Sequence, residues 1–159
     1  MSKVPAKLAA KRQAKSAARL YGVQALFQME VSGQMTDDVI REFEDHRFGA
    51  TYDEVEMVEG HVDLFRRIVR DAVNLQAKID QMTDRALASA WPIDRIDPTL
   101  RALFRAAGAE LSDAGTPPKV VITEYVDVAR AFFPEGKEPR FVNAVLDHMA
   151  REARPEDFA

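Results

Sequence analysis

Between Leu100 and Leu111 the apolar side chains fall at Leu100, Leu103, Phe104, Ala107 and Leu111, a spacing that an α-helix brings onto one face. The same period returns in Ile122, Tyr125, Val126, Ala129, Phe132 and Phe133, and again in Val142, Val145, Leu146 and Met149. No sustained alternation of β-branched residues calls for a sheet, so the chain reads as all-α, a helical bundle of about seven helices. With 159 residues, 47% of them hydrophobic, it has enough apolar surface for a core of its own.

Breaker residues place the helix ends. An Ala-rich first helix is predicted from about Ala6 to about Val31, stopped near Gly33. Val39, Ile40 and Phe43 mark a short amphipathic segment, and His46–Glu54 reads as a loop. Val55, Val58, Val62, Phe65, Val69 and Ala72 then line a long helix, continued by Leu75, Ile79, Met82 and Ala86 after a shift of phase near Asn74 that predicts a bend. Trp91-Pro92 ends this half, because proline cannot continue a helix. Beyond it, Asp113–Gly115 predicts a stop, Thr116 an N-cap with Pro117 in the first turn, and Phe133–Gly136 a turn before the last helix fades into a polar tail. The expected organisation is a basic arm over residues 1–19, one helical subdomain to about residue 91, a second over about 92–154, and a tail over 155–159.

Catalytic raw material is thin. Cysteine is absent, which excludes disulfides and thiolate metal sites. His46, His61 and His148 fall on separate predicted elements, and Glu59 and Asp63 flank His61 at a spacing that does not share its helix face. Asp37, Asp38 and Glu110 read as helix-end or surface carboxylates, and no Gly-rich phosphate loop precedes a helix. Neither an enzyme nor a metal or cofactor is expected. The N-terminus lacks an apolar signal core and no stretch approaches the roughly 20 apolar residues of a membrane span, so a cytoplasmic protein is expected.

The net charge of −4 conceals a division. Residues 1–19 hold Lys3, Lys7, Lys11, Arg12, Lys15 and Arg19 and no acid, while the rest carries 16 bases against 26 acids. Most of the six recur every fourth residue, a step of about 40° around a helix, so they form one slowly winding ribbon of like charges. A phosphate backbone would relieve their repulsion, and a solubilising tail is the other reading. From Leu20 to Val31 apolar residues surround the helix: Leu20, Val23, Phe27 and Val31 on one face, Tyr21, Leu26 and Met29 elsewhere. Such a helix is either central to the bundle or holds part of its surface for a protein partner. On the last helix Phe141 sits at the edge of the apolar stripe beside Arg140, with Lys137 just before. That setting fits either a residue capping the core or an aromatic on which an unpaired base stacks.

Four ordered blocks carry a resemblance: Ala18–Glu30 (ARLYGVQALFQME), Asp94–Leu111, Pro117–Phe132 and Arg140–Glu152, the last with the FVN-x-VLD pattern of Phe141, Val142, Asn143, Val145, Leu146 and Asp147. In these the chain resembles the NusB family of bacterial transcription antitermination factors. The resemblance implies two small helical subdomains, binding of boxA RNA as a heterodimer with NusE, a small-subunit ribosomal protein, and read-through by RNA polymerase in ribosomal RNA operons. It assigns RNA contacts to Lys11, Arg12, Lys15, Arg19, Arg140 and Phe141, and the NusE contact to Phe27 and Val31. Homodimerisation of the free protein stays open.

The family's dense arginine run is diluted here to Lys15-Ser16-Ala17-Ala18-Arg19, Ala144 stands where Gly is typical and Thr123 where Asn is typical, so the lone protein's RNA affinity is expected to be low. Two other readings remain. One is a regulatory or recruiting module for an RNA-modifying enzyme, since a similar helical domain is found at the N-terminus of some RNA cytosine methyltransferases; against it, no cysteine could serve as nucleophile and no α/β domain is expected after residue 159. A scaffold dimerising through Leu20–Val31 would be indifferent to RNA.

Overall fold

A computed structural model describes residues 4–48, 59–87 and 96–158, with side chains from Arg12, Val62 and Ile96 onward in the three stretches. Helix α1 spans Val4–Ser32 and ends where Gly33 takes φ +75°, its N–H donating to the Met29 carbonyl at 2.8 Å. That left-handed residue closes the helix at little cost only because it has no Cβ.

Helix α2 (Thr36–Phe43) buries Val39, Ile40 and Phe43, then widens into a π-helical turn over Glu44–Phe48. A loop is expected from His46 on the sequence alone, and the structure corrects its first residues. Phe48 is fully buried, its ring 5.1 Å from Tyr21 and 5.0 Å from Phe65. Phe43 and Phe48 stand five residues apart, the i→i+5 hydrogen-bond spacing of a π turn, and both rings reach Phe65. The remainder of that loop, with Val55 and Val58, lies outside the described residues, as do Trp91-Pro92 and the divide expected there.

Helices α3 (Glu59–Asn74) and α4 (Gln76–Leu87) meet at the predicted bend. Leu75 donates to Asp71 and accepts from Ile79, so the backbone ladder carries on through the change of direction. Helix α5 (Pro98–Leu111) starts on Asp97, whose carboxylate accepts from the Thr99 N–H at 2.7 Å. Helix α6 spans Pro118–Phe132, and here Thr116 is not the N-cap: Pro117 holds that position without a side-chain bond. Pro118 forces its predecessor into extended geometry and removes one orphan donor, so the cap shifts by one residue. Helix α7 (Glu138–Ala153) carries Val142, Val145, Leu146 and Met149 inward.

The tail differs from the sequence reading. Arg154 is 7% exposed, and its guanidinium donates to the carbonyls of Glu110 (2.9 Å), Leu111 (2.8 Å), Thr116 (2.5 Å) and Asp113. These carbonyls lie at the C-terminus of α5 and in the loop after it, where the helical ladder runs out, and the cation also complements the helix dipole there. A short 3-10 turn, Pro155–Phe158, follows, with Arg151 lying 4.6 Å above the Phe158 ring.

Helix α1 lies in the middle, packed against α2, α3, α5 and α6. Its approach to α3 is set by Gly22, where a Cβ would come within 2.9 Å of Ile68, and α5 meets α4 at Gly108, where a Cβ would come within 2.4 Å of Ile79. One continuous apolar cluster draws residues from each of α1 to α7. Among the described residues there is no strand, and no helix is long and apolar enough to cross a membrane.

Candidate nucleic-acid and partner interfaces

The first half of α1 separates its cations by environment. Arg12 and Lys15 face solvent, while the Lys11 side chain lies outside the described residues. Arg19 leaves the expected exposed ribbon: it is 3% exposed, with Nε donating to Glu110 Oε1 at 2.8 Å and Nη2 to Oε2 at 3.2 Å. Glu124 lies 3.6 Å from Nη1, and the Tyr125 hydroxyl donates to Glu110 at 2.8 Å. Burial alone would lower the Arg19 pKa, but the hydrogen bond and charge of Glu110 outweigh it and hold the guanidinium above its ordinary pKa. Burial, and then Glu110, push the Tyr125 hydroxyl well above the ordinary tyrosine value. Glu110 is therefore an internal carboxylate, contrary to the surface position expected of it, and Arg19 is offered to α5 and α6 instead of to a ligand. No spacing in the sequence announces a partner 91 residues away.

The Ser16 hydroxyl adds a bond to Glu124 at 2.9 Å, so the helix turn that carries Lys15 is pinned to α6. Helix α6 in turn packs on α7, where Arg140 is exposed and Phe141 half-buried. The Phe141 ring meets Phe104 edge-on at 6.2 Å, which makes it a packing residue with a solvent side. Arg12 and Lys15 on one helix and Arg140 and Phe141 on another are thus connected through α6.

Toward the C-terminal end of α1 the structure brings the two predicted partner contacts together. Phe27 and Val31 share a groove of about 330 Å³ with Val23, Phe43, Thr99 and Phe132. Phe27 is half-buried and Val31 is 63% exposed, so the groove is apolar and open. The Arg47 guanidinium covers the Phe43 ring at 5.2 Å. The rim is polar and bonded to itself: Gln28 donates to Gln34 at 2.6 Å and to Glu42 at 3.0 Å, and Gln34 donates to Glu42 at 3.0 Å. Hydrogen bonds from Gln34 and Gln28, with the charges of His46 and Arg47, hold the Glu42 carboxyl below the usual range. Phe132, expected in the core, forms a wall of this groove; its place in the last turn of α6 is the signal for that. The Leu20–Val31 segment is central to the bundle and still keeps an open apolar patch, since Val23, Ala25 and Leu26 are core while Phe27 and Val31 remain open.

The NusB family model matches residues 16–151, which include Phe27, Val31, Arg140 and Phe141 and begin just after Lys15. The chain belongs to the NusB family. A transcription antitermination protein NusB of Maricaulis maris is 49% identical over 143 residues, covering 89% of each chain. Among solved structures, T. maritima NusB aligns with TM-score 0.72 and 27% identity over 91% of this chain and 96% of its own. A NusB bound with NusE and double-stranded RNA gives TM-score 0.72 at 21% identity, over 88% of this chain and 98% of that one, a likeness of fold. With NusB membership, the all-α reading and the four sequence blocks agree.

Proposed function

We propose that this NusB-family chain is an RNA-binding transcription antitermination factor that recognises boxA RNA together with the ribosomal protein NusE and promotes read-through in ribosomal RNA operons. Catalysis has no part in it. The observation that carries the reading is the division of α1: exposed Arg12 and Lys15 lie toward one end, the open Phe27–Val31 groove toward the other, and a buried Arg19–Glu110 pair fixes the helix between them. RNA engages the basic end and, across α6, Arg140 and the solvent side of Phe141. NusE engages the groove, where a protein side chain displaces water from Phe27 and Val31. The working place is the cytoplasm, in an antitermination complex with RNA polymerase.

Fluorescence anisotropy of a boxA-like single strand and a scrambled control, at several salt concentrations with and without NusE, tests this. Selective binding that tightens with NusE is expected. Equal or absent binding to both strands with folded NusE present would sink it. Sedimentation of the free protein reports whether a second copy covers the groove when NusE is absent.

A further inference from the structure

The FVN-x-VLD pattern spends most of its residues on packing, with Val142, Val145 and Leu146 in the core. Asn143 is different: it is exposed, and among the described residues its amide has no hydrogen-bond partner. It lines an open cleft of about 570 Å³ between α6 and α7, the size of a small-ligand site. From α6 come Thr123, Val126 and Arg130, at i, i+3 and i+7 on one face, and from α7 come Pro139, Arg140 and Asn143.

Among the described residues no carboxylate lines this cleft, although the chain as a whole is acidic. Among the described residues Arg130 is held only by exposed Asp127, at 2.7 Å one turn back on its own helix, and Arg140 has no ion pair. The Thr123 hydroxyl donates to the Lys119 carbonyl at 2.9 Å, which leaves its oxygen toward the cleft as an acceptor. Asn143 supplies one acceptor and two donors. Two cations at the rim, apolar contacts from Val126 and Pro139, and a donor–acceptor pair within are what a nucleotide needs: phosphate at the edge, the base's face on apolar atoms, its edge on the amide. An acidic peptide would be satisfied by the arginines and would leave Asn143 unused.

We propose that this cleft holds one unpaired RNA base, with Asn143 and Thr123 reading its edge and Arg130 and Arg140 holding the flanking phosphates. The proposal rests on the RNA-binding reading above and names specificity-determining residues within it.

The test uses the full chain with NusE and a panel of boxA-like strands, each with a single base replaced. In the unaltered protein one position is expected to be penalised roughly 5- to 100-fold when its base is replaced. Asn143→Ala is expected to reduce that one penalty to under about twofold while sparing the others, because one base edge has no reader in the variant. Thr123→Val is expected to reduce it in part, and Arg140→Ala to weaken every strand alike and lower the salt slope by about 0.7. Thermal melts confirm that each variant is folded. A penalty profile unchanged by Asn143→Ala, or lowered equally at all positions, overturns the proposal while RNA binding stands. Weaker NusE association with an unchanged RNA profile would make the cleft a protein contact and overturn it too. Failure of the unaltered protein to prefer boxA over a scrambled strand would remove the RNA reading itself, and the proposal with it.

Discussion

Lys15 and Arg19 stand one turn apart on α1, carry the same charge and lie in opposite surroundings. Lys15 is in water. Arg19 is enclosed by α5 and α6, bonded through both nitrogens of its fork to Glu110 and flanked by Glu124. The contrast shows where the solvated face of α1 ends and the core begins: Arg12 and Lys15 are exposed and able to exchange counterions for phosphate, and Arg19 is already spent on a carboxylate. A planar guanidinium suits the buried position, since it satisfies both carboxylate oxygens at once and stays charged.

The largest expected effect tests the buried side of this contrast. Arg19→Ala leaves the Glu110 carboxylate enclosed with only the Tyr125 hydroxyl and should cost roughly 3–5 kcal/mol of stability, whereas Lys15→Ala should stay within roughly 0.5 kcal/mol. Urea unfolding midpoints of the two variants measure the difference. Equal losses would dissolve the distinction, and a stable Arg19→Ala protein with weakened RNA binding would return Arg19 to the ligand surface.

The second comparison runs along the same helix, from the pinned turn to the open groove. Phe27→Asp should weaken NusE association by at least roughly 2 kcal/mol, or about 30-fold, because an uncompensated carboxylate then lies in the apolar wall. The chain should remain folded, since the ring is only half-buried. Calorimetric titration with NusE, beside a thermal melt, separates the two readouts: an unfolded variant would assign Phe27 to the core.

The helices were legible because periodicity records which face is buried. The stripes of α5 and α7 and the core half of α6 appear where the spacing puts them, and Gly33, Asp113 and the Asn74 bend mark real ends. What stayed hidden were features that depend on a distant partner. Glu110 looks like any helix-end acid until Arg19 and Tyr125 are folded against it, and Arg154 looks like part of a solvated tail until it meets the carbonyls at the end of α5. Phe48 was hidden for another reason, because a π turn breaks the 3.6-residue period that the eye follows. Of the candidate site, Phe27 and Val31 were legible as surplus apolar residues on an already sufficient helix. The cleft beside Asn143 was not, since it exists only between two helices.

A smaller effect belongs to the exposed side of the α1 contrast. Charge reversal at Lys11, Arg12 and Lys15 together should weaken RNA binding and make its salt dependence shallower, by about 0.7 in slope for each phosphate no longer neutralised. NusE association should be unaffected, because the groove lies several turns away along α1. Anisotropy at graded salt reads both. An unchanged slope would show that the ribbon serves solubility and that RNA phosphates are held by α6 and α7.

The smallest expected effect concerns Phe141, which stands on the boundary that Lys15 and Arg19 fall either side of. Its edge packs on Phe104 while part of the ring stays in solvent, so packing and base stacking draw on different sides of one side chain. Phe141→Leu keeps the apolar bulk and removes the ring. It should cost about 1 kcal/mol of stability, because the edge-to-face pair with Phe104 is no longer made. If the exposed side stacks on a base, it should also cost about 1 kcal/mol of RNA affinity, toward the low end for one stacked base. Melting temperature and anisotropy on the same preparation separate the two effects. A fall in stability with RNA affinity intact would place Phe141 wholly with the core and leave Arg140 and the cleft to hold RNA on α7.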